Sequence, residues 1–513
     1  MSSLVGQFGK NIFTSWASLA VRVILVFLVN PFIIHTLGNE QYGVWILIIS
    51  ILNYVTILDL GIKQALLRFV SKYLGLGDIE KVNAMLSTAF FIYGIIGLAV
   101  IATTFVLSFF VFDWLQIPEQ FLVQGRLALL IMGLNCAMGF VMISRGDSLG
   151  ALHRYDVVYG LMILEDILRT AAILILLKTG YGLVAFALAF FIFSQLRLFL
   201  GAVIQKKLFP KIRVRFKPAT REVAGDFLKY GFISFLISFA WLFISNTDNI
   251  LIGYFLDTSS VTKYAIGAGF IVYLRAFIHA VSFPLRPVIS HYETTDKLGN
   301  IKFIYTRGIK YFSFLTFIVG GITLNFADYL IFLWMGPGYE VSALMLKILI
   351  LPAAVFLPQA IAVSVMYGVD KHRILLYIII VEGLLNLVLS VLLVGRYGLT
   401  GIAIGTAIPQ VLIYLLVVPI VIKSILNIDL RHYYLSLAYA AGIALAGSYL
   451  FGYLLIHLFS PENWGIFFAE VLLVAGLSAA AGLLVFDRDE FLSIFTRLRG
   501  NNRVQRNRDD LPV

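Results

Sequence analysis

Charged residues and cysteines are scarce in this sequence, and each scarcity excludes a class of protein. Only 13% of the residues are charged, about half of the roughly 25% usual in soluble domains, whereas 60% are hydrophobic. A soluble fold with so few polar side chains could not cover its outside. The single cysteine, Cys136, lies in an apolar run, which excludes a disulfide framework and a CxxC metal or redox site.

Motifs for nucleotide or hydrolytic chemistry are also missing. The sequence contains no GxxxxGK[ST], HExxH or GxSxG pattern, so ATP hydrolysis by this chain and the common hydrolytic reactions have no support. We therefore expect no cofactor, no metal and no enzymatic activity. The net charge of +11 would suggest nucleic acid in a soluble protein. Here the positive-inside rule explains the charge, and no nucleic-acid partner is expected.

Long apolar runs are abundant instead, and they predict an all-α polytopic membrane protein with about fourteen transmembrane helices. A span needs about 20 apolar residues to cross a bilayer. The predicted spans are Phe13–His35, Tyr42–Leu60, Val82–Phe112, Phe121–Ser144, Val157–Leu177, Leu183–Ile204, Phe227–Leu256, Thr262–Ser290, Ile309–Phe326, Val341–Met366, Ile374–Val394, Thr400–Ile422, Tyr433–Leu458 and Trp464–Phe486.

The distribution of basic residues predicts the orientation. With the N-terminus in the cytoplasm, nearly all lysines and arginines of the loops and tails fall on the inner side, and the outer side holds only Lys178, Lys263 and Arg396. An even number of spans then places both termini in the cytoplasm. The first span is interpreted as retained rather than as a signal peptide, because no small-residue cleavage site follows it.

An internal repeat predicts two lobes. Glu165 in the fifth span aligns with Glu382 in the eleventh, and Gly180-Tyr-Gly182 aligns with Arg396-Tyr-Gly398. Six spans separate the copies, which predicts a parallel repeat with its axis along the membrane normal, an arrangement found in transporters. Chance similarity between apolar helices is the alternative. The predicted divisions are an N-lobe at 1–204 (helices 1–6), a basic cytoplasmic linker at 205–226, a C-lobe at 227–426 (helices 7–12), helices 13–14 at 427–486 and a cytoplasmic tail at 487–513.

Several stretches, spread along the chain, are similar to a known family. They include HTLGNEQYGVW at 35–45, NTDNILIGYFLD at 246–257 and LWMGPGYEVSALMLKIL at 333–349. The sequence resembles the polysaccharide transporter (O-antigen flippase-like) family of the multidrug/oligosaccharidyl-lipid/polysaccharide flippase superfamily. The resemblance implies two six-helix lobes around a central cavity, plus two C-terminal helices. It also implies transport of a polyprenyl-pyrophosphate-linked oligosaccharide to the outer leaflet of the bacterial cytoplasmic (inner) membrane.

Polar residues inside the predicted spans are the candidate substrate-binding residues. Ionisable residues at membrane depth cost about 2.5–3.5 kcal/mol on insertion scales and usually face a cavity or a partner. Arginine suits a pyrophosphate, because its planar fork binds two oxygens and stays charged. The resemblance places arginines of the first and eighth spans in the cavity; the alternative is that Arg22 and Arg275 neutralise acids on neighbouring helices. The candidates are Arg22 and Asn30 in the first span, Asp248 in the seventh, and Arg275, His279 and Arg286 in the eighth.

Further residues have more than one interpretation. Asp248 has three interpretations: it pairs with an arginine, it binds a coupling cation, or it does neither. Glu165 and Arg169 have the i,i+4 spacing of an intrahelical ion pair, and Glu382, without such a partner, reaches another helix or carries a proton. His279 either titrates near neutral pH or packs through hydrogen bonds. A predicted break in the second span, serving as a hinge or gate, involves three residues: Asp59, Gly61 and Lys63.

Three functions remain open at this point. The first is the lipid-linked oligosaccharide flippase, a monomer acting by alternating access on its lipid-linked substrate among membrane lipids. A polysaccharide polymerase and glycosyltransferases of the same pathway are then the expected partners. The second is a cation-coupled multidrug antiporter of the same superfamily; Arg22, where an acid would suit a cationic drug, favours the flippase. The third is a membrane polymerase or glycosyltransferase, which the short outer loops disfavour.

Overall fold

The computed structural model describes residues 2–216, 221–295 and 297–482, and no strand occurs within these ranges. Short 3₁₀ turns follow α2 and precede α13, and a π-helical turn lies between α14 and α15. The predicted tail at 487–513, the last residues of the predicted fourteenth span and part of the linker lie outside the described residues. The helices are α1 Ser2–Leu37, α2 Asn39–Val55, α3 Ile62–Gly75, α4 Ile79–Trp114, α5 Glu119–Ile143, α6 Tyr155–Lys178, α7 Leu183–Leu208, α8 Arg221–Phe255, α9 Thr258–Ser282, α10 Leu285–Thr294, α11 Leu298–Met335, α12 Glu340–Phe356, α13 Ala360–Gly368, α14 His372–Leu412, α15 Val418–Leu426, α16 Leu430–Leu458 and α17 Trp464–Ala481.

The helices account for fourteen membrane crossings and confirm the predicted all-α polytopic class. Twelve helical segments of the described chain are long and apolar enough to cross a bilayer. One of them, His372–Leu426, has 55 residues and holds two crossings. The one crossing not yet counted is α6, the fifth in chain order. It is long enough to cross a bilayer, but its middle carries Glu165, Asp166 and Arg169, which lower its hydropathy.

The segment with two crossings is a helical hairpin. Gly398 has φ 56° and ψ −134°, outside the helical region, in the middle of α14. A Cβ on Gly405 would lie 2.4 Å from Ser390 Oγ, so residues fifteen positions apart are in contact across the turn. A straight helix of 41 residues would be about 60 Å long, which is twice the thickness of the hydrocarbon core of a bilayer. The fold-back at Gly398 therefore returns the chain through the membrane.

The second span is interrupted where the sequence predicts a break. The helix α2 ends at Val55, a 3₁₀ turn covers Thr56–Asp59, and α3 begins at Ile62. Between them Leu60 and Gly61 have φ values of 50° and 75°. A Cβ on Gly61 would lie 2.2 Å from the carbonyl oxygen of Gly231 on α8, so the break is also a close backbone crossing. The gating role of this break stays a prediction.

The eighth span bends as its proline predicts. The helix α9 ends at Ser282 and α10 begins at Leu285, with Pro284 between them. Proline lacks the N–H needed to continue the ladder, and its ring clashes with the preceding turn. The stripe that carries Arg275 and His279 on α9 is therefore separated from Arg286 on α10 by a kink.

The described part of the basic linker is held against α4. Asn83 Nδ2 donates to Lys211 O at 3.2 Å, and Arg213 N donates to Asn83 Oδ1 at 2.7 Å. Arg215 N donates to Ser87 Oγ at 3.0 Å. These side chains satisfy linker backbone groups that have no helix or sheet to pair with. The linker before residue 217 is thus an ordered part of the surface around α4.

The chain divides into two compact units by its internal contacts. Unit 1 contains Met1–Ile266 and Leu375–Thr406, and unit 2 contains Gly267–Ile374 and Ala407–Val513. The core of unit 1 is centred on the fully buried Tyr93, which stacks on Phe140. Unit 2 has smaller clusters where α16 and α17 pack on α11. The predicted lobes, with a boundary at 205–226, stay a prediction.

We expect Gly61→Ala to destabilise the protein more than Gly77→Ala. Both glycines have a positive φ, 75° and 71°, but a Cβ at Gly77 would meet no atom within 4 Å. An alanine with a left-handed backbone is strained by about 1–3 kcal/mol at either site. Only Gly61→Ala adds a clash, between the new Cβ and Gly231 O. Thermal unfolding of the detergent-purified variants measures the difference. Equal losses of Tm would show that the crossing at Gly231 is not a tight contact.

Candidate functional site

The arginine in the middle of α1 is held by an acid on the neighbouring helix. Arg22 Nε lies 3.2 Å from Asp166 Oδ2 on α6, which packs along α1. The Asp166 side chain is 6% exposed and the Arg22 side chain 46%. The pair lowers the cost of an ionised side chain at membrane depth. Arg22 therefore has the acidic neighbour of the alternative interpretation, while nearly half of its side chain stays accessible.

Five charged side chains from α1, α6 and α7 are connected, and we call them the arginine network: Arg22, Glu165, Asp166, Arg169 and Arg197. Arg169 Nη1 donates to Glu165 Oε1 at 2.7 Å, which is the ion pair that the i,i+4 spacing predicts. Arg169 Nη2 also donates to Asp166 Oδ1. On the far side, Arg197 Nε lies 2.7 Å from Glu165 Oε2. Among these five side chains, three are arginines and two are carboxylates.

Arg22 is the most exposed arginine of the network. The side chains of Arg169 and Arg197 are 19% and 16% exposed, against 46% for Arg22. Arg169 is further fixed by the ring of Phe190, 4.3 Å away. If Arg22 turned away, Asp166 would keep Arg169, so no buried carboxylate would lose its last partner. Arg22 is thus the member that can contact an added anion at the least cost.

Two members of the network were absent from the sequence-based candidates. Asp166 is three residues before Arg169, a spacing that also favours a helical ion pair, so the sequence does carry a signal for it. Arg197 has no acid at helical spacing on its own helix; its partner Glu165 lies on α6. Such an interhelical pair depends on how the helices pack, which spacing within one helix does not report.

Asn30 does not join this network. It lies eight residues after Arg22 on α1, which corresponds to about 12 Å along the helix axis. Its side chain is half-buried and makes no hydrogen bond or ionic contact with any other residue that the structure describes. The structure therefore does not bring Asn30 and Arg22 together.

The candidates of the eighth span lie against aromatic rings in unit 2. The Arg275 guanidinium is 5.3 Å from the Phe356 centroid. Arg286 lies 4.1 Å from the Tyr367 ring and 4.6 Å from Phe283. Cations over ring faces gain partial compensation for lost hydration, up to about 2 kcal/mol when desolvated. His279 lies one helical turn after Arg275, on the same side of α9, and is half-buried.

Asp248 lies in a buried cluster of neutral donors in unit 1. Its Oδ2 accepts hydrogen bonds from Tyr264 Oη at 2.6 Å and Thr406 Oγ1 at 2.8 Å. Asn386 Nδ2 lies 3.5 Å from Asp248 Oδ1 and donates to Thr406 Oγ1 at 2.7 Å. Asp248 is 7% exposed, and it forms no ion pair with the described residues. Of the three interpretations of Asp248, the structure therefore gives no support to an arginine partner.

Glu382 is next to this cluster in sequence. It lies one helical turn before Asn386, on the first arm of the α14 hairpin, and is 1% exposed. Its neighbour Gly383 packs closely on α8, because a Cβ there would lie 3.0 Å from the Phe243 ring. The hairpin thus supplies two arms, with Asn386 on one and Thr406 on the other, that close around Asp248 of α8.

The break in the second span borders a cavity within unit 1. The cavity has a volume of about 420 Å³. Asp59 lies in its wall, where its Oδ1 accepts from Tyr93 Oη at 2.6 Å and from Lys63 N at 3.3 Å. All three hinge candidates line it. The polar, glycine and cysteine residues of the wall are Thr56, Asp59, Gly61, Lys63, Gln64, Asn135, Cys136, Gly139, Ser194, Arg197 and Ser238.

Comparison with known sequences identifies the family. The profile of the polysaccharide biosynthesis protein family matches residues 8–293, more than half of the chain. The uncharacterized membrane protein EpsK of Bacillus subtilis is 22% identical over 433 residues, covering 82% of this chain and 84% of that protein. The probable flippase AglR of Haloferax volcanii is 23% identical over 434 residues, covering 82% and 83%.

Solved structures with a similar fold are transporters. The lipid II flippase MurJ, in an inward closed conformation, superposes with a TM-score of 0.72 at 14% identity, covering 94% of this chain and 98% of that one. An inward-facing multidrug resistance MATE family transporter of the MOP superfamily gives 0.65 at 16% identity, covering 80% and 99%. At these identities the likeness establishes the fold alone.

The expectation that the chain is not an enzyme agrees with these matches, because those whose titles state an activity are flippases or transporters. The family profile and the transporter fold together confirm the resemblance that the sequence motifs indicate. The chain belongs to the polysaccharide biosynthesis protein family, as a multi-pass membrane protein of the flippase-like kind.

Proposed function

We propose that the protein moves a polyprenyl-pyrophosphate-linked oligosaccharide from the cytoplasmic to the outer leaflet of a bacterial cytoplasmic membrane, by alternating access. In this proposal both termini are cytoplasmic, and the product feeds cell-surface polysaccharide synthesis. The observation that carries it is the arginine network, which has more arginines than acids and whose most accessible member is Arg22. A pyrophosphate supplies negative charge, and guanidinium geometry matches its oxygens.

Arg22, Arg275 and Arg286 are the proposed contacts for the pyrophosphate. Arg275 and Arg286 lie against aromatic rings, and Arg286 forms no ion pair with the described residues. Stacking on a ring leaves the N–H edge of the Arg286 guanidinium available to an anion that lies in the guanidinium plane. The isoprenoid tail stays among membrane lipids while the head group crosses. A polysaccharide polymerase and glycosyltransferases of the same pathway are the partners that this function requires.

Asp248 is the proposed coupling residue. A buried carboxylate surrounded only by hydroxyl and amide groups binds a proton or a small cation more readily than one that an arginine already neutralises. The hairpin of α14 closes around it, so filling or emptying the cluster would change how its arms pack on α8. The same buried acid, with the fold shared with multidrug transporters, keeps a cation-coupled drug antiporter as the second candidate.

Deletion of the gene in its own host, followed by mass spectrometry of extracted lipids, tests the function. We expect one polyprenyl-pyrophosphate oligosaccharide to accumulate, because assembly continues while export stops. The accumulated species names the sugar. Unchanged lipids together with new sensitivity to cationic drugs would replace the flippase with the antiporter.

We expect Arg22→Ala and Arg275→Ala each to lower export about 10–100-fold, the range for losing charged hydrogen bonds worth about 1.5–3 kcal/mol. Arg22→Ala leaves Asp166 paired with Arg169, so the protein should fold. Arg22→Lys should recover little if bidentate geometry matters. Complementation of the deletion, with membrane abundance checked by immunoblotting, measures the loss. Arg396→Ala, in the exposed hairpin turn, is the control, and wild-type export in both alanine variants contradicts the assignment.

We expect Asp248→Asn to abolish the cation dependence of thermal stability. A cation that binds only the folded protein raises Tm with its concentration, by RT ln(1 + [L]/Kd) in free energy. Tm is compared in Na⁺, K⁺ and choline buffers, and over a range of pH, for the wild type and the variant. A dependence on one ion or on pH that disappears in Asp248→Asn identifies the coupling ion. The same dependence in both proteins would remove Asp248 from this role.

A further inference from the structure

The cavity beside the broken second span has no assigned ligand, and its wall has the chemistry of a sugar site. We propose that it is a carbohydrate subsite, which holds a neutral sugar ring of the lipid-linked head group. The inference rests on the proposed function and adds to it a place for the sugar, apart from the arginines that contact the pyrophosphate.

The uncharged polar groups of the wall have hydrogen-bonding capacity left over. Gln64, Ser194 and Ser238, on α3, α7 and α8, make no side-chain hydrogen bond with another described residue. Asn135 on α5 accepts from Gln195 Nε2 at 2.7 Å, which fixes its amide and leaves its nitrogen to donate. Amides and hydroxyls both donate and accept, as each sugar hydroxyl does. Four helices thus present matching groups around one space.

The charged groups of the wall disfavour a cationic ligand. Asp59, its single carboxylate, already accepts from Tyr93 and from the backbone of Lys63. Arg197 is held by Glu165. Lys63 is exposed and forms no ion pair with a described residue. Two cationic side chains and one hydrogen-bonded carboxylate therefore line the wall, an arrangement that disfavours a cation and suits a neutral sugar.

The apolar groups and the size fit a sugar ring. Phe140, Phe235 and Phe239 contribute aromatic surface to the wall. Aromatic faces with a few convergent polar groups are the usual lining of small-ligand sites. The volume of about 420 Å³ is in the lower part of the 300–1,000 Å³ range of such sites, room for about one or two sugar rings.

Gly139 offers a way to fill the cavity without disturbing the helices. It lies on α5 in the wall, and a Cβ there would meet no heavy atom within 4 Å. Gly139→Leu therefore places a large side chain in the cavity, whereas Gly139→Ala leaves most of the cavity volume empty. Gly160→Leu is the matched control, because Gly160 on α6 also has nothing within 4 Å of its Cβ and lies outside the cavity wall.

The test is saturation-transfer NMR on the full chain in lipid nanodiscs. The probes are glucose, galactose, N-acetylglucosamine and cellobiose, with ethidium as a cationic probe. We expect at least one sugar to bind the wild type, Gly139→Ala and Gly160→Leu, and its affinity for Gly139→Leu to fall at least about tenfold by steric overlap. Three results would each overturn the proposal. The wild type binds no sugar, Gly139→Leu binds sugar as well as the wild type does, or the wild type binds ethidium and Gly139→Leu does not.

Export by the same variants separates this proposal from the flippase itself. If Gly139→Leu exports normally while Arg22→Ala accumulates the lipid-linked species, the flippase stands and the subsite is rejected. If Gly139→Leu and Arg22→Ala both accumulate it while Gly139→Ala does not, both proposals are supported. If the deletion strain accumulates no lipid-linked species, the flippase is rejected, and the subsite with it.

Discussion

The packing of α1, α6 and α7 depends on one constraint, which is that a charge at membrane depth must have a partner. Three arginines and two carboxylates meet this constraint as one network rather than as separate pairs, with Asp166 and Glu165 each shared between two arginines. Sharing holds three helices together with two acids. Arginines outnumber acids among these five side chains, and the most exposed of the arginines is Arg22. The element that stabilises the fold is therefore also the element that can attract an anion.

Asp248 meets the same constraint in a different way. No arginine approaches it among the described residues; two hydroxyls and an amide surround its carboxylate instead. Neutral donors lower the cost of burial but leave the charge itself without compensation. Unit 1 therefore contains a cluster with more arginines than acids and, on other helices, a buried carboxyl group whose hydrogen-bond donors are all neutral. In the proposed mechanism, the separate centres would let an anionic head group and a coupling cation bind without competing for the same side chains.

The sequence predicts those features that depend on local pattern. Twelve of the membrane-spanning segments follow from apolar length, the kink at Pro284 from the missing N–H of proline, and the pair Glu165–Arg169 from helical spacing. The partners Asp166 for Arg22 and Glu165 for Arg197 depend on how neighbouring helices pack, and one sequence does not report this. The hydrogen-bond partners of Asp248 also depend on helix packing and are not predicted from the sequence, since Thr406 is 158 residues away along the chain.

The break in the second span shows how fold and site are connected. Irregular backbone at membrane depth is tolerated only where protein buries it or where it lines a cavity, because lipid cannot satisfy its polar groups. Both conditions hold here: Gly61 is covered by the backbone of Gly231, and Asp59 and Lys63 line the cavity. A continuous helix through residues 56–64 would need neither the glycine crossing nor the open space beside it. The strain of the left-handed Leu60, which Gly61 does not share because it lacks a Cβ, is therefore explained by the cavity that the break creates.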